Sequence, residues 1–64
     1  MRKTYTVYAK AFSGVVRYEE SGIDETGTTS PDAIIEENKA YAVASGRLEP
    51  IYVDVSIWTI EYGT

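Results

Sequence analysis

Neither cysteine nor histidine occurs in this chain. Disulfides, thiolate nucleophiles, thiol or imidazole metal ligands and histidine general bases are therefore excluded. Long apolar runs are also missing, since no stretch of about 18 such residues is present and the N-terminus lacks a signal peptide's apolar core. The expectation is a soluble, cytoplasmic protein. Glycine forms neither a GxxxxGK nor a GxGxxG arrangement, so no phosphate cradle is expected.

Basic residues are scarce beside acidic ones, six against ten, for a formal charge of −4. A nucleic-acid footprint needs a concentrated positive patch. Arg2, Lys3 and Lys10 load the first strand with positive charge, but they are too few for one and read as surface solubility. Eight of the ten acids fall between Glu19 and Glu49. With 64 residues the chain makes one domain, 1–64, near the lower size limit for folding without staples. A partner that covers further apolar surface would help such a chain.

The residues that are present alternate as strands do. "KTYTVYAKAF" at 3–12 places Tyr5, Val7, Ala9 and Ala11 on one side, and Thr4, Thr6, Tyr8, Lys10 and Phe12 on the other. "SG" at 13–14 supplies a turn and "VVRYEE" returns as a second strand, with Val16 and Tyr18 expected as its inner pair. "SGIDETGTTS" at 21–30 reads as a long loop, with an extra short strand at 23–26 as the alternative. Ser30, Pro31 and Asp32 then form a helix start, and Gly46 a helix stop. On the helical wheel Ile34, Ile35, Asn38, Tyr41, Ala42 and Ser45 share one arc, opposite Glu36, Lys39, Ala40 and Val43.

Pro50 ends any helix and opens the last strand, "IYVDVSIWTIEY". Its first half is apolar on one parity (Ile51, Val53, Val55, Ile57) and its second half on the other (Trp58, Ile60, Tyr62). Either a bulge near Ser56 or Thr59 turns the aromatics into the core, or a continuous strand presents them to a partner. The elements predict a small two-layer α+β domain in the arrangement β-β-α-β. Its antiparallel three-stranded sheet takes the order 2-1-3, with one helix across one face.

The remaining polar residues form no chemistry-bearing constellation. Glu19 and Glu20 project to opposite faces of a strand, and Glu36 and Glu37 lie about 100° apart on a helix, so neither pair suits acid/base work. "DETG" at 24–27 with Asp32 offers oxygen ligands but not the spacing of a calcium loop. The expected protein is therefore not an enzyme and needs no cofactor or metal.

The leading reading is a small acidic protein-interaction module, an inhibitor or accessory regulator of the kind carried by phages and other mobile elements. It would bind a protein partner or itself, as a homodimer, through an aromatic sheet face (Tyr8, Tyr52, Trp58, Tyr62) or an edge strand. No direct nucleic-acid or membrane contact is expected. Two alternatives stand beside it. One is a nucleic-acid mimic, with Glu19, Glu20, Asp24, Glu25, Asp32, Glu36 and Glu37 as a negative strip. The other is a structural homodimer.

Overall fold

The computed structural model describes residues 2–48 and 54–63. Elements run in the order β1 (Lys3–Ala11), β2 (Val16–Asp24), α1 (Pro31–Ala44) and β3 (Val55–Tyr62). The three strands form one antiparallel sheet in the order β2-β1-β3, with the helix across one face. This is the expected α+β architecture. Pro50, Ile51, Tyr52 and Val53 of the anticipated final strand lie outside the described residues.

Local chemistry explains the element ends. Gly14 takes φ 90° in the hairpin turn, where its N–H donates to the Ala11 carbonyl at 2.9 Å. The Ser30 hydroxyl accepts from the Ala33 N–H at 3.2 Å, and Pro31 occupies the first turn, where its missing donor costs nothing. At the other end Ser45 donates to the Tyr41 carbonyl and Gly46 adopts φ 74°. Leu48 then folds back, its N–H bonding the Ala42 carbonyl at 3.1 Å.

The core is small and built on alanine. Val7 and Ala9 of β1 and Ala42 of α1 are fully buried, and Ala11, Tyr18 and Ile34 nearly so. Small side chains on β1 and α1 let the helix approach the sheet, and the outer strands supply the bulk. Tyr18 and Trp58 meet across Ala9 with ring centroids 5.5 Å apart. Half-burying an indole removes on the order of 100 Å² from water, which stabilises by about 2–3 kcal/mol. Asn38, within the helix's inward arc, is buried because it is paired: it accepts from the Tyr18 hydroxyl at 3.1 Å and donates to the Ile34 carbonyl at 2.9 Å. Tyr41, placed on the same arc by the wheel, is half exposed.

Two bulges flank Lys10 and correct the expected faces. In β1–β3, Lys10 pairs with Ile57 and Ala11 with Val55, so Ser56 is the extra residue. Val55 and Trp58 consequently both face the helix, despite opposite parity, and Ile57 turns to the open face with 51% exposure. The aromatic open face is thereby corrected: Trp58 and Tyr62 share the helix side, and only Tyr8 of the described candidates is on the other. In β1–β2, Ala9 pairs with Tyr18 and Lys10 with Val16, leaving Arg17 as the extra residue. Val16 is therefore not an inner partner of Tyr18; it faces outward and is 44% exposed. Arg17 instead reaches Asp54 across β1, at 3.1 Å.

The anticipated 21–30 loop is also shorter than expected. β2 continues through Asp24, paired with Lys3, so residues 23–24 extend β2 instead of forming a separate strand. Gly22 makes this extension feasible, because a Cβ there would come within 2.5 Å of the Tyr5 phenol oxygen lying over it.

Candidate interaction surface

The sheet's two edges differ in which backbone groups they direct outward. The Gly63 N–H donates to the Thr4 carbonyl at 2.8 Å, which marks Thr4 and Gly63 as a hydrogen-bonded antiparallel pair. Such pairs alternate along a ladder. Continuing the register, Glu61, Thr59 and Ile57 direct their backbone groups to β1, while Tyr62, Ile60 and Trp58 direct theirs away from it. The helix-side residues of β3 thus carry its outward N–H and C=O groups.

The same alternation on β2 makes Glu19, Ser21 and Ile23 the outward residues. Here the protein supplies its own cover. Arg47, just past α1, donates to the Glu19 carbonyl at 3.0 Å and to the Glu20 carboxylate. Its guanidinium lies over the Tyr18 ring, 5.0 Å from the centroid. Hydrogen bonding to Glu20 is the main force raising its pKa, so it stays charged. Its contacts with β2 depend on the chain path after Gly46. The β2 edge also carries Arg17, Glu19, Glu20 and Asp24, whereas β3 holds a single charge, Glu61. Charge and bulging are the usual protections of a sheet edge; each edge carries one bulge, but charge is concentrated on β2.

Around the β3 edge, cations sit over the rings. Lys39 Nζ is 5.8 Å from the Trp58 centroid and 3.3 Å from Glu36, and Lys3 Nζ is 5.4 Å from the Tyr62 centroid. On the open face Tyr8 lies between Glu19 and Thr59, with Lys10 5.5 Å from its ring. Desolvation, then the charges of Glu61 and Glu19, raise the Tyr8 pKa. Phe12, 84% exposed, Val15, Val16 and Ile57 form an apolar margin at the bulged end of this face. Alternation in β1 already assigns Phe12 to this side, whereas Val16 and Ile57 join it only through the two bulges.

The seven acids considered as a negative strip do not share one face, although Glu20 and Glu37 border one hollow and Asp24, Glu25 and Glu37 another. Glu19 faces the open side and Glu20 the helix side, where Arg47 holds it. Glu36 is bridged to Lys39. Asp24 turns into its own loop and accepts from the N–H and hydroxyl groups of Thr26 and Thr29 at 2.9–3.2 Å. Burial raises its pKa, but these hydrogen bonds outweigh burial and leave it below the ordinary value. Asp32 begins the helix, and Glu25 and Glu37 are exposed.

A shallow hollow of about 270 Å³ lies beside Tyr5, Glu20, Glu37, Asn38 and Tyr41, but Glu20 is already occupied by Arg47 and Asn38 by Tyr18. Among the described residues no group of carboxylates is arranged to hold a metal ion, and no helix is long and apolar enough to cross a membrane. Comparison with protein-family models, curated proteins and solved structures finds no match for this chain.

Proposed function

We propose that this chain is a small protein-interaction module, with a regulatory or inhibitory role and no catalytic one, that binds by strand addition at the β3 edge. One observation carries the reading: the outward backbone groups of Trp58, Ile60 and Tyr62 lie on an edge with a single charged residue, while the opposite edge carries four and has its Glu19 carbonyl occupied by Arg47. An added strand supplies main-chain hydrogen bonds, and the half-exposed apolar side chains beside it supply selectivity. Ile57, exposed on the open face of β3, would widen the contact at the bulged end. A nucleic-acid mimic is less well supported, because Glu20, Glu36 and Asp24 are engaged within the chain.

Photo-crosslinking in the native host tests this, with the label at Glu61 on β3 or at Ile23 on β2. Adducts are expected from Glu61 and not from Ile23, and Ile60→Pro should abolish them. That substitution removes an outward N–H and no ladder bond. Equal labelling from both edges, or adducts that survive in a folded Ile60→Pro variant, would overturn the reading.

A further inference from the structure

We infer that the strand added to β3 is β3 of a second copy of this chain, running antiparallel about a two-fold axis at Ile60. The inference rests on the edge-pairing reading above and names its partner. Antiparallel self-pairing is possible only when the outward residues of both copies oppose one another, since on β3 it is their backbone groups that point away from β1. Placing Ile60 opposite Ile60 puts Trp58 opposite Tyr62 at both ends and engages every outward N–H and C=O of these three residues. Side chains then match in face throughout the pairing.

The neighbouring registers are worse for separate reasons. Shifting one way sets Trp58 opposite Ile60 and leaves Tyr62 facing the bulged Ser56, where the ladder is irregular. Shifting the other way sets Glu61 directly against Glu61, a like-charge pair. In the Ile60-centred register Glu61 instead faces Thr59. Charge around the edge is also self-complementary. Lys3 at the Tyr62 end of one copy approaches the Trp58 end of the other, where Glu36 is bridged to Lys39. Lys3, Lys39, Glu36 and Glu61 balance, so the chain's net negative charge does not collect at this contact. The product is a continuous six-stranded sheet with both helices on one side. Trp58, Ile60 and Tyr62 of each copy then floor the groove between the helices.

The area sets the strength. An eight-residue strand edge is about 27 Å long, and with its flanking side chains it falls below the roughly 800 Å² per partner of a standard interface. A weak, reversible dimer that dissociates on dilution is therefore expected.

Sedimentation velocity from about 1 µM to about 1 mM reads this directly. The mass should rise from 7.1 kDa toward twice that value. Over the same range, amide exchange should slow at Trp58, Ile60 and Tyr62, a measurement that needs no variant. Chemically synthesised chain with an N-methyl group on the Ile60 amide should dimerise at least tenfold more weakly while keeping its circular-dichroism spectrum. A dimer whose exchange at these three amides is independent of concentration would overturn the inference, as would one that tolerates the N-methyl group. A monomer at about 1 mM would overturn it too. In that last case, crosslinks from Glu61 that Ile60→Pro abolishes would still carry the edge-pairing reading with a different partner.

Discussion

Tyr18→Phe deletes one oxygen from the core and leaves Asn38 Oδ1, 3.1 Å away, without its donor. Asn38 cannot readily swing toward solvent, because its Nδ2 is tied to the Ile34 carbonyl at 2.9 Å and the residue is only 8% exposed. The cost therefore combines a lost hydrogen bond with a stranded buried acceptor, about 2 kcal/mol in all. For a chain of this size that lowers Tm by roughly 10 °C.

Urea unfolding followed by Trp58 fluorescence, and thermal unfolding by circular dichroism, measure the loss; the urea m-value should stay constant. Adding Asn38→Leu removes the stranded acceptor, so the double variant should recover about 1 kcal/mol relative to additivity. Burial, then the charge of Glu20, raise the Tyr18 pKa above its ordinary value of 10.0, against the opposing effect of Arg47. The linked stability is complete below pH 10 and is lost as pH rises through the higher folded value, a component absent from Tyr18→Phe. A Phe variant within about 0.3 kcal/mol of the parent, or strict additivity in the double variant, would refute the buried Tyr18–Asn38 pairing.

Trp58→Ala should destabilise the monomer by about 2–3 kcal/mol in the same urea assay, less than a fully buried tryptophan, because the residue is only partly buried; no change would remove it from the core. Gly22→Ala should cost roughly 1–2 kcal/mol by pressing on Tyr5, and little in a Tyr5→Leu background; an equal cost in both would refute the close approach. Asp24, with its folded pKa below the ordinary 3.8, stabilises fully above that value and less as pH falls through the lower folded one. Asp24→Asn should therefore show a flatter loss of Tm between neutral and acidic pH, and an identical acid profile would contradict the Thr26–Thr29 clasp.

Much of the architecture was legible because short-range chemistry specifies it. Alternation marked β1, and Ser30-Pro31 and Gly46 bounded α1 within a residue or two. The change of parity after Ile57 was visible too, and it located the irregularity, though not which face each half takes. A bulge costs no residue a special backbone signature here, and Ser56 and Arg17 carry none that a sequence reader could use. The loop at 21–30 was misread in part for a similar reason. Ser21 and Gly22 have turn composition, yet Gly22 is a strand residue that makes room for Tyr5.

Element type, element order and the 2-1-3 sheet follow from local periodicity, caps and the short connections that restrict how neighbours can pair. Those are properties of neighbouring residues, and the sequence by itself determined them. Which aromatics face the helix, where Arg47 docks and which backbone groups point outward were decided only by tertiary structure. Each depends on where two bulges fall opposite Lys10 and on Arg47 reaching Glu19 from 28 residues away. A one-residue shift in a ladder reverses faces beyond it, so a surface built from register is invisible until the strands are paired.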